Sequence, residues 1–201
     1  SSIWRITDDD VPGIIGSRIS IESSSKVWNA CGLRIGGIVT DNQDYHKKAV
    51  SEYTANLCAN VIGQEIFGAL AHESHYELQK WYQSQRDYYR ELMLPLRKNL
   101  LTLIPGLIVT NPEAAIYFII DFKNICNDSL NAKDFVQFCA LKGKVNIEGK
   151  DYTLLLAPMT GFYSDPDKGK TQMRVAMVEP MYLIEKMPQL LSELYNSYLQ
   201  L

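Results

Sequence analysis

The stretch Ile21-Glu-Ser-Ser-Ser-Lys-Val-Trp-Asn-Ala-Cys-Gly-Leu-Arg-Ile-Gly-Gly37 is the most specific signal in this chain. It places Lys26 directly after three serines, and Arg34 follows eight residues later, just before a pair of glycines. Polar and apolar side chains alternate over residues 18–22, which is typical of a short strand. Lys26 is therefore predicted just past a strand end, where α/β folds place their chemistry.

A lysine in this position can act as a nucleophile. Its neutral amine attacks a carbonyl carbon and forms a Schiff base. A neutral amine near pH 7 requires a lysine pKa lowered by burial or by a nearby cation such as Arg34. The planar guanidinium of Arg34 also suits a phosphate, and serine hydroxyls can donate to the same oxygens. An aldehyde cofactor that carries a phosphate needs this combination, and pyridoxal 5'-phosphate is that cofactor.

The pattern Ser23-x-x-Lys26-x7-Arg34-Ile-Gly resembles the cofactor-lysine segment of class I/II aminotransferases, which are fold-type I pyridoxal-phosphate enzymes. The resemblance implies that Lys26 forms the Schiff base and that Ser23 and Arg34 bind the cofactor phosphate. It also implies an α/β fold that is the C-terminal part of such an enzyme. That part comprises the end of the large α/β domain, a long linking helix and a small α+β C-terminal domain. The family usually forms homodimers.

Other interpretations of the same stretch are less specific. A lysine after a strand is most often a solvated charge. Ser23-x-x-Lys26 also fits the serine nucleophile of penicillin-interactive enzymes, but the chain has no Ser-Asp-Asn and offers only Lys170-Thr171-Gln172 for Lys-Thr-Gly. A phosphate loop ending at Gly169-Lys170-Thr171 would need a glycine where Ser164 stands.

Arg174 interrupts the otherwise apolar strand predicted over residues 171–178. By itself it is either a surface charge or a buried anion binder. Beside the first motif it resembles the family's carboxylate-binding arginine, because a bidentate guanidinium–carboxylate pair is strong and directional. Such a pair would place the substrate Cα–H over Lys26, which then moves the proton.

The segment Ala157-Pro-x-x-Gly-Phe-Tyr163 resembles one subgroup of these aminotransferases. The resemblance implies that Phe162 and Tyr163 line the substrate pocket, and ordinary core aromatics are the alternative. Dicarboxylate-specific members use a further arginine after the helix that follows the lysine. Residues 56–61 contain no arginine, which counts against specificity for aspartate.

Composition narrows the class of protein. The chain has 201 residues, enough for one large or two small domains, and its formal net charge of −3 argues against nucleic acid as a partner. No apolar run is long enough to span a membrane, and no signal peptide opens the chain. The cysteines and histidines show no zinc-ligand spacing, so we predict no metal and a cytoplasmic protein with reduced thiols.

Hydrophobic periodicity predicts helices and strands mixed along the chain. The longest helix starts at Ser74, is kinked or ended by Pro95 and continues over residues 96–104. In the family this long helix links the large domain to the small one, so the resemblance implies the domains 1–94, with the cofactor-binding remnant and linking helix, and 95–201. The other predicted helices cover 41–57, 64–71, 132–141 and 183–198, the last bent at Pro188. The predicted strands cover 34–40, 106–110, 115–122, 144–147, 152–156 and 171–178.

The resemblance also places several cofactor contacts before Ser1: the aspartate that pairs with the pyridine nitrogen, the ring-stacking aromatic residue and the glycine-rich phosphate turn. The isolated chain is therefore expected to be inactive and to self-associate through apolar surface. Two alternatives share the same residues. One is another fold-type I lyase or decarboxylase, and the other is a non-enzymatic sensor domain of a regulator.

Overall fold

The computed structural model describes residues 2–55, 59–126 and 130–200. The chain divides into two compact units, Ser1–Leu78 and Gln79–Leu201. The domain boundary between residues 94 and 95 stays a prediction. Leu57, the expected end of one helix, and residues 56–58 of the segment without arginine lie outside the described residues.

The first unit is built on an antiparallel strand pair. Strand β1 (Ile19–Ser23) pairs with β2 (Gly36–Thr40), and Ile21 lies opposite Ile38. The predicted second strand began at Arg34, but β2 begins at Gly36 because Arg34 has a left-handed backbone, with φ of 55°. Two short helical turns connect the strands: α1 (Ser24–Val27) and a 3₁₀ turn at Cys31–Leu33.

Two helices follow in the first unit. Helix α2 (Gln43–Ala55) begins after Asn42, whose side-chain oxygen accepts the Tyr45 N–H at 2.8 Å, as the predicted N-cap requires. Helix α3 (Val61–Gly68) begins three residues earlier than predicted, because the Asn60 side chain caps it by accepting the Gly63 N–H. A 3₁₀ turn at Ala69–His72 ends this part of the chain.

Helix α4 (His75–Leu103) is the longest helix of the described chain. It runs through Pro95 and does not end there, although proline lacks the N–H that a helix interior uses. Pro95 is exposed, whereas Leu92, Leu96 and Leu100 are buried on the core-facing side. These leucines, spaced by four residues, mark the face of α4 that packs against the core.

The second unit has a four-stranded antiparallel sheet in the order β3-β4-β8-β7. These strands are β3 (Ile108–Val109), β4 (Tyr117–Asp121), β7 (Ala157–Pro158) and β8 (Gln172–Ala176). A separate ribbon pairs β5 (Val145–Ile147) with β6 (Lys150–Tyr152). Helices α5 (Ala132–Leu141), α6 (Met181–Ile184) and α7 (Met187–Tyr198) complete the unit.

Two sequence predictions in this unit are wrong. The strand expected over 152–156 ends at Tyr152, and Thr153 instead donates its hydroxyl to the Cys139 carbonyl at 2.7 Å. The single bent helix expected over 183–198 is two helices, α6 and α7. Pro188 lies in the first turn of α7, where a missing N–H costs nothing, so it starts a helix and does not bend one.

The hydrophobic core belongs to the second unit. Five large side chains of this core are 0 % exposed. They are Leu100 of α4, Ile120 of β4, Phe122 just after β4, Met173 of β8 and Leu191 of α7. Alternation along β8 buries Met173 and Val175 and leaves Arg174 on the opposite face. None of the helices in the described ranges has the length and apolarity needed to cross a membrane.

Candidate functional site

Lys26 lies on α1, immediately after β1, as the alternation of side chains predicted. Its side chain is exposed. Ser23 is the N-cap of α1, and its Oγ accepts the Ser25 N–H at 3.1 Å. A hydroxyl that accepts in this way still has its own proton to donate, so Ser23 can bind an anion while it caps the helix.

Ser24 joins the lysine segment to the arginine segment. It is 1 % exposed, and both its backbone N–H (3.1 Å) and its Oγ–H (2.9 Å) donate to the carbonyl of Ile35. Its own carbonyl accepts the backbone N–H groups of Trp28 and Ala30. The loop from Ser24 to Ile35 is therefore closed at its base by hydrogen bonds. Sequence reasoning missed this role, because the motif drew attention to Ser23 alone.

Arg34 lies on the same closed loop, next to Ile35. Its left-handed backbone turns the chain into β2, and its Nη1 donates to the Cys31 carbonyl at 3.0 Å. The rest of the exposed guanidinium has no hydrogen bond or ion pair to a described residue. Ser23 pairs with Gly36 across the strands. Ser23 thus ends β1, and Lys26 and Arg34 lie on the loop that follows it.

This donor set fits the predicted cofactor. One hydroxyl with a free proton and one guanidinium with free N–H groups match the acceptors of a phosphate. An exposed amine on the same loop is accessible to an aldehyde. Gly36 permits the close approach of the strands, because a Cβ there would lie 2.8 Å from the Glu22 carbonyl oxygen. The loop therefore has the chemistry to hold pyridoxal phosphate.

Arg174 lies in the second unit, on β8 opposite Ile119 of β4. Its guanidinium carbon is 4.6 Å from the ring centroid of Tyr117 and 5.0 Å from that of Phe162. Its Nε is buried and has no hydrogen-bond partner among the described residues. A buried N–H without a partner is costly, so an anion that accepts a hydrogen bond from it would stabilise this side chain. The sequence did not indicate Tyr117, because only the strand register shows that it neighbours Arg174.

Phe162 and Tyr163 follow β7. Phe162 ends a 3₁₀ turn at Met159–Phe162 and is 55 % exposed, and Tyr163 is 36 % exposed, so neither is a core aromatic residue. The Tyr163 hydroxyl donates to Gln172 Oε1 at 2.6 Å. Gly169 packs against this ring, since a Cβ there would lie 2.7 Å from it.

A buried carboxylate supports this corner of the second unit. Asp121, at the end of β4, accepts hydrogen bonds from Thr171 Oγ1 (2.6 Å), Gln172 Nε2 (2.8 Å) and the Lys123 N–H (3.0 Å). Burial raises the pKa of Asp121, but these hydrogen bonds outweigh it and hold the pKa below its ordinary value. In the sequence, the available sign of this buried carboxylate was a single acidic residue at the end of an apolar strand.

Arg174 also borders a cavity of about 550 Å³ inside the second unit. Its walls are mainly apolar, with Leu154, Leu156, Val178, Met187 and Leu190 among them. Arg174 and Glu179 are the charged residues among those that line it.

Comparison with models of protein families shows which family the chain belongs to. Residues 7–160, more than half of the chain, match the model of the family "Aminotransferase class I and II". The chain belongs to the class I and II aminotransferases. A search of curated proteins found no match.

Solved structures of other aminotransferases share the fold. The kynurenine aminotransferase of Pyrococcus horikoshii is 23% identical, with a TM-score of 0.64 over 89% of this chain and 40% of its own. The α-aminoadipate aminotransferase LysN of Thermus thermophilus is 18% identical, with a TM-score of 0.71 over 90% and 42%. The N-succinyldiaminopimelate aminotransferase of Mycobacterium tuberculosis is 18% identical, with a TM-score of 0.68 over 90% and 43%.

These structures confirm the predicted fold class. The chain has the mixed α/β fold of a fold-type I aminotransferase and spans about two fifths of the length of these relatives. The Pyrococcus structure contains pyridoxamine phosphate, and the Thermus structure contains a phosphopyridoxyl-leucine.

Proposed function

We propose that the protein to which this chain belongs is a pyridoxal-phosphate-dependent aminotransferase that moves an amino group from an amino acid to a 2-oxo acid. The observation that carries the proposal is the closed loop that bears Lys26 and Arg34 and begins directly after Ser23, the last residue of β1. Membership of the aminotransferase family over residues 7–160 supports it. A homodimer in the cytoplasm is the assembly and location that we propose for the whole protein.

Three residues at this site would bind different parts of the cofactor. Lys26 Nζ would bind it covalently, and the Ser23 hydroxyl and the Arg34 guanidinium would bind its phosphate. When bound, pyridoxal phosphate supplies an electron sink that stabilises the charge left on the substrate Cα. Lys26 Nζ would accept the proton from the substrate Cα, which is the general-base role of a neutral amine.

Arg174 would orient the substrate. Its free, partly buried guanidinium pairs with the substrate carboxylate through two parallel hydrogen bonds. Phe162, 55 % exposed beside Arg174, and the following Tyr163 would line the path of the substrate side chain. We therefore expect weaker cofactor binding when the Lys26 amine or the Arg34 guanidinium is removed. Loss of Arg174 should instead weaken substrate binding.

The first prediction concerns Lys26. The chain is incubated with pyridoxal phosphate, reduced with borohydride and mapped by mass spectrometry. We expect one adduct per chain on Lys26, because it is the exposed amine between the two proposed phosphate ligands, Ser23 and Arg34, in the chain. Lys26→Ala should abolish the adduct, and Lys48→Ala, an exposed lysine of α2, should not change it.

Two outcomes would contradict the proposal. Substoichiometric labelling scattered over many lysines, unchanged in Lys26→Ala, would show that the loop does not select the cofactor. An adduct on Lys26 that is insensitive to Arg34→Ala and Ser23→Ala would remove the phosphate-binding role of these residues. Once the Lys26 adduct is established, a panel of amino acids and 2-oxo acids with the full-length protein separates transfer from elimination or decarboxylation.

A further inference from the structure

Tyr117 contacts Arg174 from the neighbouring strand. In the register of β4 and β8, Ile119 lies opposite Arg174 and Tyr117 lies opposite Ala176. Tyr117 is therefore the diagonal neighbour of Arg174 on the same face of the sheet, within reach of an aromatic side chain. The distance of 4.6 Å from the guanidinium carbon to the Tyr117 ring centroid is shorter than the 5.0 Å to Phe162.

The two rings hold the cation without using its hydrogen bonds. A guanidinium within about 6 Å of a ring centroid is attracted to the face of the ring. The ring offers no conventional acceptor to the N–H groups, which point along the guanidinium plane. In the described part of the chain, Arg174 forms no ion pair, and its buried Nε has no acceptor. The donors remain available for a ligand.

The two rings differ in how firmly they are held. Phe162 belongs to a short 3₁₀ turn and is 55 % exposed. Tyr117 belongs to β4, a central strand of the four-stranded sheet, whose next residue, Phe118, is 3 % exposed. Strand pairing fixes the backbone that carries Tyr117, so Tyr117 is the more firmly anchored of the two supports.

We propose that Tyr117 is a positioning residue, which holds the Arg174 guanidinium so that its N–H groups face a substrate carboxylate. The inference rests on the proposed carboxylate-binding role of Arg174. It adds a residue from a different strand to the site. Phe162, whose ring also faces the guanidinium, shares this supporting role in addition to its proposed place along the substrate path.

The experiment follows Arg174 Nε–Hε by nitrogen-15 NMR in the 201-residue chain, assigned with Arg174→Lys, while propionate is added as a simple carboxylate. Tyr117→Leu removes the ring and is expected to weaken propionate binding about tenfold, and Tyr117→Phe keeps the ring and should bind within about twofold of the parent. Tyr182→Leu, a tyrosine 63 % exposed on α6, is the matched control and should bind like the parent.

The outcomes separate the two proposals. If propionate does not shift the Arg174 resonance in the parent chain, the carboxylate role of Arg174 fails and the positioning role fails with it. If Tyr117→Leu is folded and binds propionate as tightly as the parent, only the positioning role of Tyr117 is overturned. If Tyr117→Leu does not fold, Tyr117→Trp is used in its place. The indole has a larger ring current than the phenol, so the Arg174 Hε resonance must shift. An unchanged resonance would show that residue 117 does not contact Arg174 and would overturn the positioning role.

Discussion

At the scale of single residues, a buried polar group supports the candidate residues in each unit. Ser24 and Asp121 are the buried polar residues of the described chain. Ser24 closes the loop of Lys26 and Arg34, and Asp121 binds Gln172, which in turn holds Tyr163. Because buried polar groups need their partners, each of these residues fixes the backbone around exposed site residues.

The prediction at this scale concerns Asp121. Three donors converge on its carboxylate, and the amide of Asp121→Asn cannot accept from all of them. We expect this variant to lower the free energy of unfolding by about 2 kcal/mol at pH 6, because hydrogen bonds to a buried charge are lost. Urea unfolding followed by near-ultraviolet circular dichroism measures the change.

The pH dependence of this effect has a definite sign. The folded pKa of Asp121 lies below the ordinary value of 3.8, so its contribution is fully present above pH 3.8 and is lost as pH falls through the lower folded pKa. The difference between the parent and Asp121→Asn should therefore shrink in acid. Asp9→Asn, at an exposed position, is the control, and an equal loss in both variants would contradict the prediction.

At the scale of elements, α4 shows how an exposed face tolerates a proline. Pro95 lacks the N–H that would bond the Glu91 carbonyl, yet the helix extends eight residues further, to Leu103. Leu92, Leu96 and Leu100 are buried on the other face, each less than 5 % exposed. Packing of this apolar face offsets the lost hydrogen bond, since burial of each leucine stabilises the fold by about 2 kcal/mol.

The prediction for this helix is that Pro95→Ala stabilises the chain. Alanine restores the N–H and has the better helix propensity, and the greater freedom of its unfolded state cancels part of the gain, so we expect an increase of about 2 kcal/mol in the free energy of unfolding. Thermal unfolding followed by circular dichroism measures it. Lys98→Ala, exposed on the same helix, should change stability by less than about 0.5 kcal/mol, and a destabilised Pro95→Ala would show that the core requires the proline.

At the scale of the whole molecule, the two units differ in how much apolar surface they bury. The buried apolar side chains of the described chain lie between Leu92 and Tyr195, all within the second unit. The first unit exposes large apolar residues, including Ile21 at 82 % and Ile62 at 72 %. Apolar surface of this extent favours association. We therefore still predict that the isolated chain self-associates, and light scattering can check this.

The prediction at this scale is a difference in local stability. Amide hydrogens of Ile120, Met173 and Leu191, which are 0 % exposed, should exchange with solvent at least about 100-fold more slowly than those of β1 and β2. Hydrogen exchange measured by NMR or mass spectrometry gives both rates. Equal protection in the two units would contradict the prediction and would mean that self-association covers the first unit.

The sequence alone determined the chemistry of the first motif and the long periodic helix. Ser23, Lys26 and Arg34 are recognisable because their spacing is local, and α4 is recognisable because its apolar spacing repeats over many turns. Strand ends were less well predicted: β2 starts at Gly36, and no strand covers residues 153–156. Such a boundary depends on one backbone dihedral angle or one side-chain hydrogen bond, which hydrophobic periodicity does not reveal.

Only the tertiary structure decided which residues support the site. Ser24 is indistinguishable from its neighbours in the sequence, and its importance appears once Ile35 lies against it, eleven residues away. Tyr117 and Arg174 are 57 positions apart along the chain, and Asp121 and Thr171 are 50 apart. Their contacts depend on the register of β4 and β8, which is fixed by burial of one face of the sheet and by no local pattern around either residue.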